Sequence, residues 1–161
     1  MGGLIAFELA RQLRSQGKPQ PRHLFISGYR APHLPDLHPP IHQLPEPEFL
    51  TELRNINGTP EEVLRTPELL GLILPLLRAD FALCETYSYQ AEEPMDYPIS
   101  VFGGLEDEEM SPQQLAAWRI HTSSSFNLQM FPGDHFFLLS SKAQVLKNLS
   151  SQLHNLLKPI L

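Results

Sequence analysis

His135 and Asp107 are the residues whose types and placement could do chemistry. Residues Phe126 to Met130 alternate apolar and polar, the period of a β-strand with one buried face. Pro132-Gly133 ends that strand, because proline donates no ladder hydrogen bond and glycine accepts turn angles. His135 follows on the turn, between Asp134 and the apolar run Phe136 to Leu139. Upstream, Tyr97 to Phe102 reads as a second strand, and Gly103-Gly104-Leu105-Glu106-Asp107 runs off its carboxyl end. A histidine just past one parallel strand is where a general base belongs. An acid past the neighbouring strand completes an Asp–His couple, in which the carboxylate orients the imidazole and stabilises its protonated form. Taken alone, His135 reads more readily as a loop histidine with no duty; the acid upstream turns the reading toward catalysis.

The elements that must position this couple follow from periodicity. Apolar residues at 5, 6, 9, 10 and 13 predict an opening helix, with Gly17 just past its end. His23 to Ser27 reads as a short buried strand. Residues 31 to 47 form a proline-rich connection carrying His33, His38 and His42, which read as a solvated loop rather than a metal site. A helical block follows: Glu48 to Ile56 closed by Asn57-Gly58, a capping box at Thr59-Pro60-Glu61-Glu62, and a leucine-rich helix from Thr66-Pro67. Pro75 is expected to break or restart that helix. Ser111-Pro112-Gln113-Gln114 is a further capping box, and Ser141 to Gln144 caps a last helix with Val145, Leu146, Leu149, Leu153 and Leu156 on its apolar face. Strands alternating with helices mean an α/β fold with a parallel sheet.

Composition sets the outer bounds. The 161 residues suit one domain, 42% hydrophobic and 19% charged, which is globular rather than disordered. A net charge of −6 with scattered basic residues argues against nucleic acid as a partner. The apolar runs are short and interrupted, so no membrane span is expected. The single cysteine, Cys84, fits a reducing compartment, and no basic leader precedes an apolar core, so a cytoplasmic location is expected. Cys84 lies inside a helix beside Glu85, with no base nearby in sequence to make it a nucleophile.

The stretches MGGLIAFELARQL, HLFISGYRAPH, LPLLRADFALCETY, YPISVFGGLEDEEMSPQQLAAW and FPGDHFFLL follow one another along nearly the whole chain. In that order the sequence resembles the type II thioesterases of nonribosomal peptide and polyketide synthesis, within the α/β-hydrolase fold. The resemblance implies a partial α/β-hydrolase of about three parallel strands, with residues 48–93 as a helical lid inserted into a single domain spanning 1–161. It gives Asp107 the role of triad acid and His135 that of triad base; Glu106 is an adjacent competitor for the acid, and Asp134 stands where the family more often has glycine. Leu69, Leu72, Ile73, Leu76, Leu77 and Phe81 are expected to form the buried face of the lid and line an acyl pocket. No metal and no cofactor of the enzyme's own is implied, since the acyl group arrives on the phosphopantetheine of a carrier protein, the expected partner.

In that family the opening motif reads G-H-S-M-G-G, with the serine as nucleophile and the next backbone N–H as an oxyanion donor. Met1 aligns with the residue after that serine, so its backbone nitrogen takes the oxyanion position. The sequence reads as the carboxyl-terminal part of such an enzyme, and the 161 residues by themselves are expected not to be a competent thioesterase. Two other functions fit the same residues: an α/β-hydrolase acting on small free esters, and a non-catalytic remnant that binds a carrier domain.

Overall fold

Ile99–Gly104 is buried at every position, as a strand needs to be when it is paired on both edges and covered on both faces. The computed structural model describes residues 1–157. In them this strand, β2, stands between β1 (Leu24–Ser27) and β3 (Phe126–Phe131), and both pairings are parallel. Register runs Leu24 to Ile99 on one side and Ile99 to Phe126 on the other, so all three carboxyl ends lie at one end of the sheet. The expected parallel α/β arrangement is present. The alternating pattern of Phe126 to Met130 belongs to an edge strand of this sheet.

The chain divides into two compact units. One is Pro35–Tyr89 together with Met1; the other is Gly2–Leu34 with the residues from Gln90 onward. The second unit holds the sheet. Its first helix, α1 (Gly2–Ser15), buries Leu4, Phe7, Ala10 and Arg11. Ile5 and Leu9, expected inside, are exposed instead. Arg11 lies inward despite its charge because Glu8, Glu92 and the carbonyl of Gln90 receive its guanidinium. Trp118 is fully buried and donates its indole N–H to the carbonyl of Tyr29, satisfying the ring's one polar group. A second cluster packs Phe102, Phe131, Phe137 and Val145.

The capping box at Ser111 forms as expected: its hydroxyl accepts from Gln114 N while the Gln114 side chain reaches back. The helix it starts is short, α5 (Pro112–Ala116), and passes into a 3₁₀ turn over Ala117–His121. Near the carboxyl end, α6 (Phe137–Ser140) leads into α7 (Lys142–Leu157). Ser141 does not cap α7 with its side chain; its hydroxyl donates to the carbonyl of Pro132 and ties α7 to the turn before His135. The apolar face expected of α7 is met in part: Val145 is buried, Leu149 packs against its cluster and Leu156 is half-buried. Leu146 and Leu153 are exposed, while Gln152 faces in and accepts from Ser100 on β2, whose hydroxyl also meets His23 Nε2.

In the helical unit, α2 (Glu46–Ile56), α3 (Glu61–Arg65) and α4 (Pro67–Glu85) pack around Phe49, Leu53 and Leu64. Asn57 ends α2 in the left-handed conformation, the role its position predicted. Two expectations fail here. Thr59 caps nothing: Pro60 occupies the position before α3, with no side-chain bond. And α4 runs unbroken through Pro75. Pro75 and Gly71, four residues earlier, are both exposed, so the carbonyl that loses its donor can turn to water.

Candidate functional site

Parallel strands deliver successive loops to the same end of a sheet, and here two of those loops carry the couple. Asp107 leaves the loop after β2 and His135 the turn after β3. The Asp107 side chain is completely buried, and its Oδ2 receives the imidazole Nδ1–H of His135 at 3.0 Å. Oδ1 accepts the backbone N–H groups of Glu109 and Met110 at 2.9 and 3.0 Å. An ionised carboxylate only accepts, so it fixes the imidazole proton on Nδ1 and leaves Nε2 as the basic nitrogen. The imidazole itself is about one-third exposed, at 33%, so a substrate can reach it. Glu106, the adjacent competitor, is exposed, with its backbone N–H bonded to Gly133 O; the acid that meets His135 is Asp107.

The turn that holds His135 is tightly laced. Leu105 N donates to Phe131 O and Glu106 N to Gly133 O, so the ends of β2 and β3 stay zipped beyond the sheet. Asp134 closes the turn from its own side chain, accepting Phe136 N at 2.8 Å. That bond explains an acidic residue where glycine was expected, and the sequence hint for it is an Asp placed two residues before the donor. The two amides that anchor Asp107 show the same local pattern, Asp107 accepting from residues two and three ahead.

The other sequence-named residues fall elsewhere. Met1 is exposed and precedes α1. The three histidines of the proline-rich connection go separate ways. His33 Nδ1 meets His121 Nε2 at 2.8 Å, His42 pairs with Glu85 and Ile41 N also reaches Glu85, and the His38 backbone N–H bonds Asp36. Burial pushes His121 down to about 4, with His33 and Arg11 adding repulsion, and burial lowers His33 as well.

The predicted face of the leucine-rich helix is met in part: Leu77 and Phe81 pack on the Phe49 cluster as expected. Leu69, Leu72 and Leu76 are exposed, at 43%, 71% and 65%, so they do not form a buried face. The residues packed on the Phe49 cluster are Leu70, Leu74, Leu77 and Phe81, while Ile73 is half-buried. Eight leucine, isoleucine and phenylalanine residues between 69 and 81 offer several helical stripes, and position relative to Phe49 selects one. Cys84 is half-buried.

Comparison with known proteins gives one consistent answer. The Thioesterase family, described as a thioesterase domain, matches residues 1–153. The chain is 49% identical over 160 residues to the linear gramicidin dehydrogenase LgrE of Brevibacillus parabrevis, covering 98% of this chain and 61% of that protein. It is 46% identical to the gramicidin S biosynthesis protein GrsT of Aneurinibacillus migulanus, covering 99% and 62%. Among solved structures, YbtT, a type II thioesterase from the yersiniabactin pathway, superposes with a TM-score of 0.85 at 33% identity, covering 98% of this chain and 64% of that one. The chain thus spans about three-fifths of the length of the curated relatives it matches.

Proposed function

The chain belongs to the thioesterase family, and from that premise we propose that its Asp107–His135 couple serves the hydrolysis of acyl thioesters on the phosphopantetheine arms of synthase carrier domains. The observation that supports this reading most is the 3.0 Å bond from His135 Nδ1 to the buried Asp107, at the carboxyl end of parallel strands. The relatives' names point to gramicidin, yersiniabactin and similar pathways, which fits release of unwanted acyl groups from such synthases. The name of the Brevibacillus relative speaks of a dehydrogenase. The couple here favours acyl transfer, since a histidine held at Nδ1 by a carboxylate is arranged to take a hydroxyl proton.

In this reading a serine hydroxyl, placed by the family motif immediately before the Met1 position, attacks the thioester carbonyl while His135 Nε2 takes its proton. Asp107 stabilises the imidazolium. Backbone N–H groups, one of them at the Met1 position, hold the oxyanion. The C–S bond breaks and His135 protonates the departing thiol. Water then attacks the acyl-serine, giving its proton to His135, and the free acid leaves as serine recovers the proton. The arm is substrate, so the reaction asks for no cofactor of the enzyme's own. Residues 48–93 act as the acyl-binding lid, and carrier domains in the cytoplasm are the partners.

The test is to extend the chain at its amino end with a family strand and Gly-His-Ser turn and assay it on an acyl-pantetheine thioester and the matching oxygen ester. The thioester is expected to turn over faster, with His135→Ala costing on the order of 10³-fold or more in kcat. A preference for the oxygen ester, or indifference to His135→Ala, overturns the reading.

A further inference from the structure

We propose that Gly28 and Gly104 are positioning residues for His135, two missing side chains that together form the seat of the imidazole. The inference rests on the reading of His135 as the base. Gly104 is the last residue of β2, and the turn after β3 crosses directly over it. A Cβ on Gly104 would lie 2.2 Å from the carbonyl oxygen of Asp134 and 2.5 Å from that of Gly133. Both atoms are backbone, and the same turn is bonded to β2 through Leu105 N to Phe131 O and Glu106 N to Gly133 O. The turn therefore has no free side chain to swing aside. A methyl at Gly104 lifts the turn itself, and His135 rides on that turn.

Gly28 acts from the other side. It follows the last residue of β1, and its N–H donates to Phe102 O, which fixes it against β2. A Cβ there would come within 3.3 Å of the His135 Cε1 and 3.8 Å of both ring nitrogens. The imidazole thus lies against the Gly28 backbone, and a methyl pushes the ring away by a few tenths of an ångström. Its φ of +56° also favours glycine. Gly17 provides the matching case without the contact: its φ is +60°, and a Cβ there meets nothing within 4 Å. The backbone strain of an added methyl is common to both sites; the push on His135 belongs to Gly28 alone. A general base displaced by a fraction of an ångström loses alignment with its nucleophile, and rate falls steeply with such misplacement.

The experiment uses the extended chain and two readouts: the far-downfield proton resonance of His135 Nδ1–H, and kcat and KM on an acyl-pantetheine thioester. Gly104→Ala is expected to shift or broaden the resonance and lower kcat on the order of 10²-fold, with KM little changed. Gly28→Ala is expected to do the same to a smaller degree, on the order of tenfold, beyond whatever Gly17→Ala does. Gly17→Ala is expected to leave the resonance and kcat in place while lowering melting temperature about as much as Gly28→Ala. If Gly104→Ala fails to fold, the comparison of Gly28→Ala with Gly17→Ala still decides. Identical resonance and kcat in those two variants overturn the proposal. A resonance displaced by the Gly28 and Gly104 substitutions in a protein that hydrolyses no thioester leaves the seat standing and overturns the thioesterase reading instead.

Discussion

Asp107 receives His135 Nδ1–H at one carboxylate oxygen and two backbone N–H groups at the other, so its hydrogen-bond partners among the described residues are all donors. These three donors fix the carboxylate in place and hold the imidazole proton on Nδ1. Asparagine can keep its oxygen on the two backbone N–H groups only by turning its NH2 toward Nδ1, which must then accept, so the imidazole proton moves to Nε2 and the basic nitrogen is lost. In the extended enzyme Asp107→Asn should lower kcat on the order of 10³- to 10⁴-fold. Glu106→Gln, beside it but exposed and outside the couple, should stay close to the parent. Steady-state kinetics of the two variants decide which acid carries the role.

The 161 residues expressed by themselves should hydrolyse an acyl-pantetheine thioester no faster than the extended His135→Ala variant. The serines nearest the relevant loops offer no substitute nucleophile. Ser27 ends β1, and the Ser111 hydroxyl is engaged with Gln114 at the start of α5. Turnover comparable to the extended enzyme would show that some other hydroxyl can serve.

Stability should fall as the medium is acidified from about pH 6.5. His121 is buried beside His33 and Arg11 and titrates near 4 in the folded chain, below its ordinary value of 6.5. Between these two values the unfolded chain binds a proton that the folded chain refuses, so stability rises with pH across this window. The full effect is present above pH 6.5, and the loss is complete below about 4. For His121 it amounts to about 3 kcal/mol. His23 and His33, also lowered by burial, push in the same direction. Urea denaturation at pH 7 and pH 5 measures it, and His121→Gln should flatten most of the difference.

The helical unit should respond to its buried ring and ignore its outer leucines. Phe49 is fully buried, edge-on to Phe81 with ring centroids 5.7 Å apart, and the Arg78 guanidinium lies 4.3 Å over its face. Phe49→Ala should cost about 3–5 kcal/mol in denaturation. Leu72→Ser should change stability by less than about 0.5 kcal/mol, since 71% of Leu72 is already exposed. If residues 48–93 form an acyl-binding lid, Leu72→Ser should still raise KM for long acyl chains, a kinetic effect with no stability counterpart.

Local chemistry made part of this protein legible from its sequence. The three strands, the parallel alternation, the cap at Ser111, the stop at Asn57 and the positions of Asp107 and His135 past strand ends all follow from neighbours a few residues away. Strand period and turn residues act over that range, and parallel strands then bring both loops to one end. The choice of Asp107 over Glu106 came from the family resemblance and not from local pattern. Adjacent residues point in different directions, and only the folded loop shows which carboxylate turns inward toward the imidazole.

Faces were misjudged wherever several apolar stripes competed. On α1 Ala10 is buried as its spacing suggested, but beside Leu4 and Phe7 while Ile5 and Leu9 are exposed; on α4 Leu77 and Phe81 pack inward as expected, joined by Leu70 and Leu74 in place of Leu69, Leu72 and Leu76. A helix rich in leucine satisfies the helical period on more than one side, so the partner surface selects the stripe. The same holds for pairs distant in sequence. His33 with His121, Gln152 with Ser100, and the seat made by Gly28 and Gly104 exist only once β1, β2 and the turn after β3 are side by side. Sequence placed His135 and Asp107 past the ends of neighbouring strands; tertiary packing decided how closely the backbone approaches them, because that distance is set by atoms that share no local sequence.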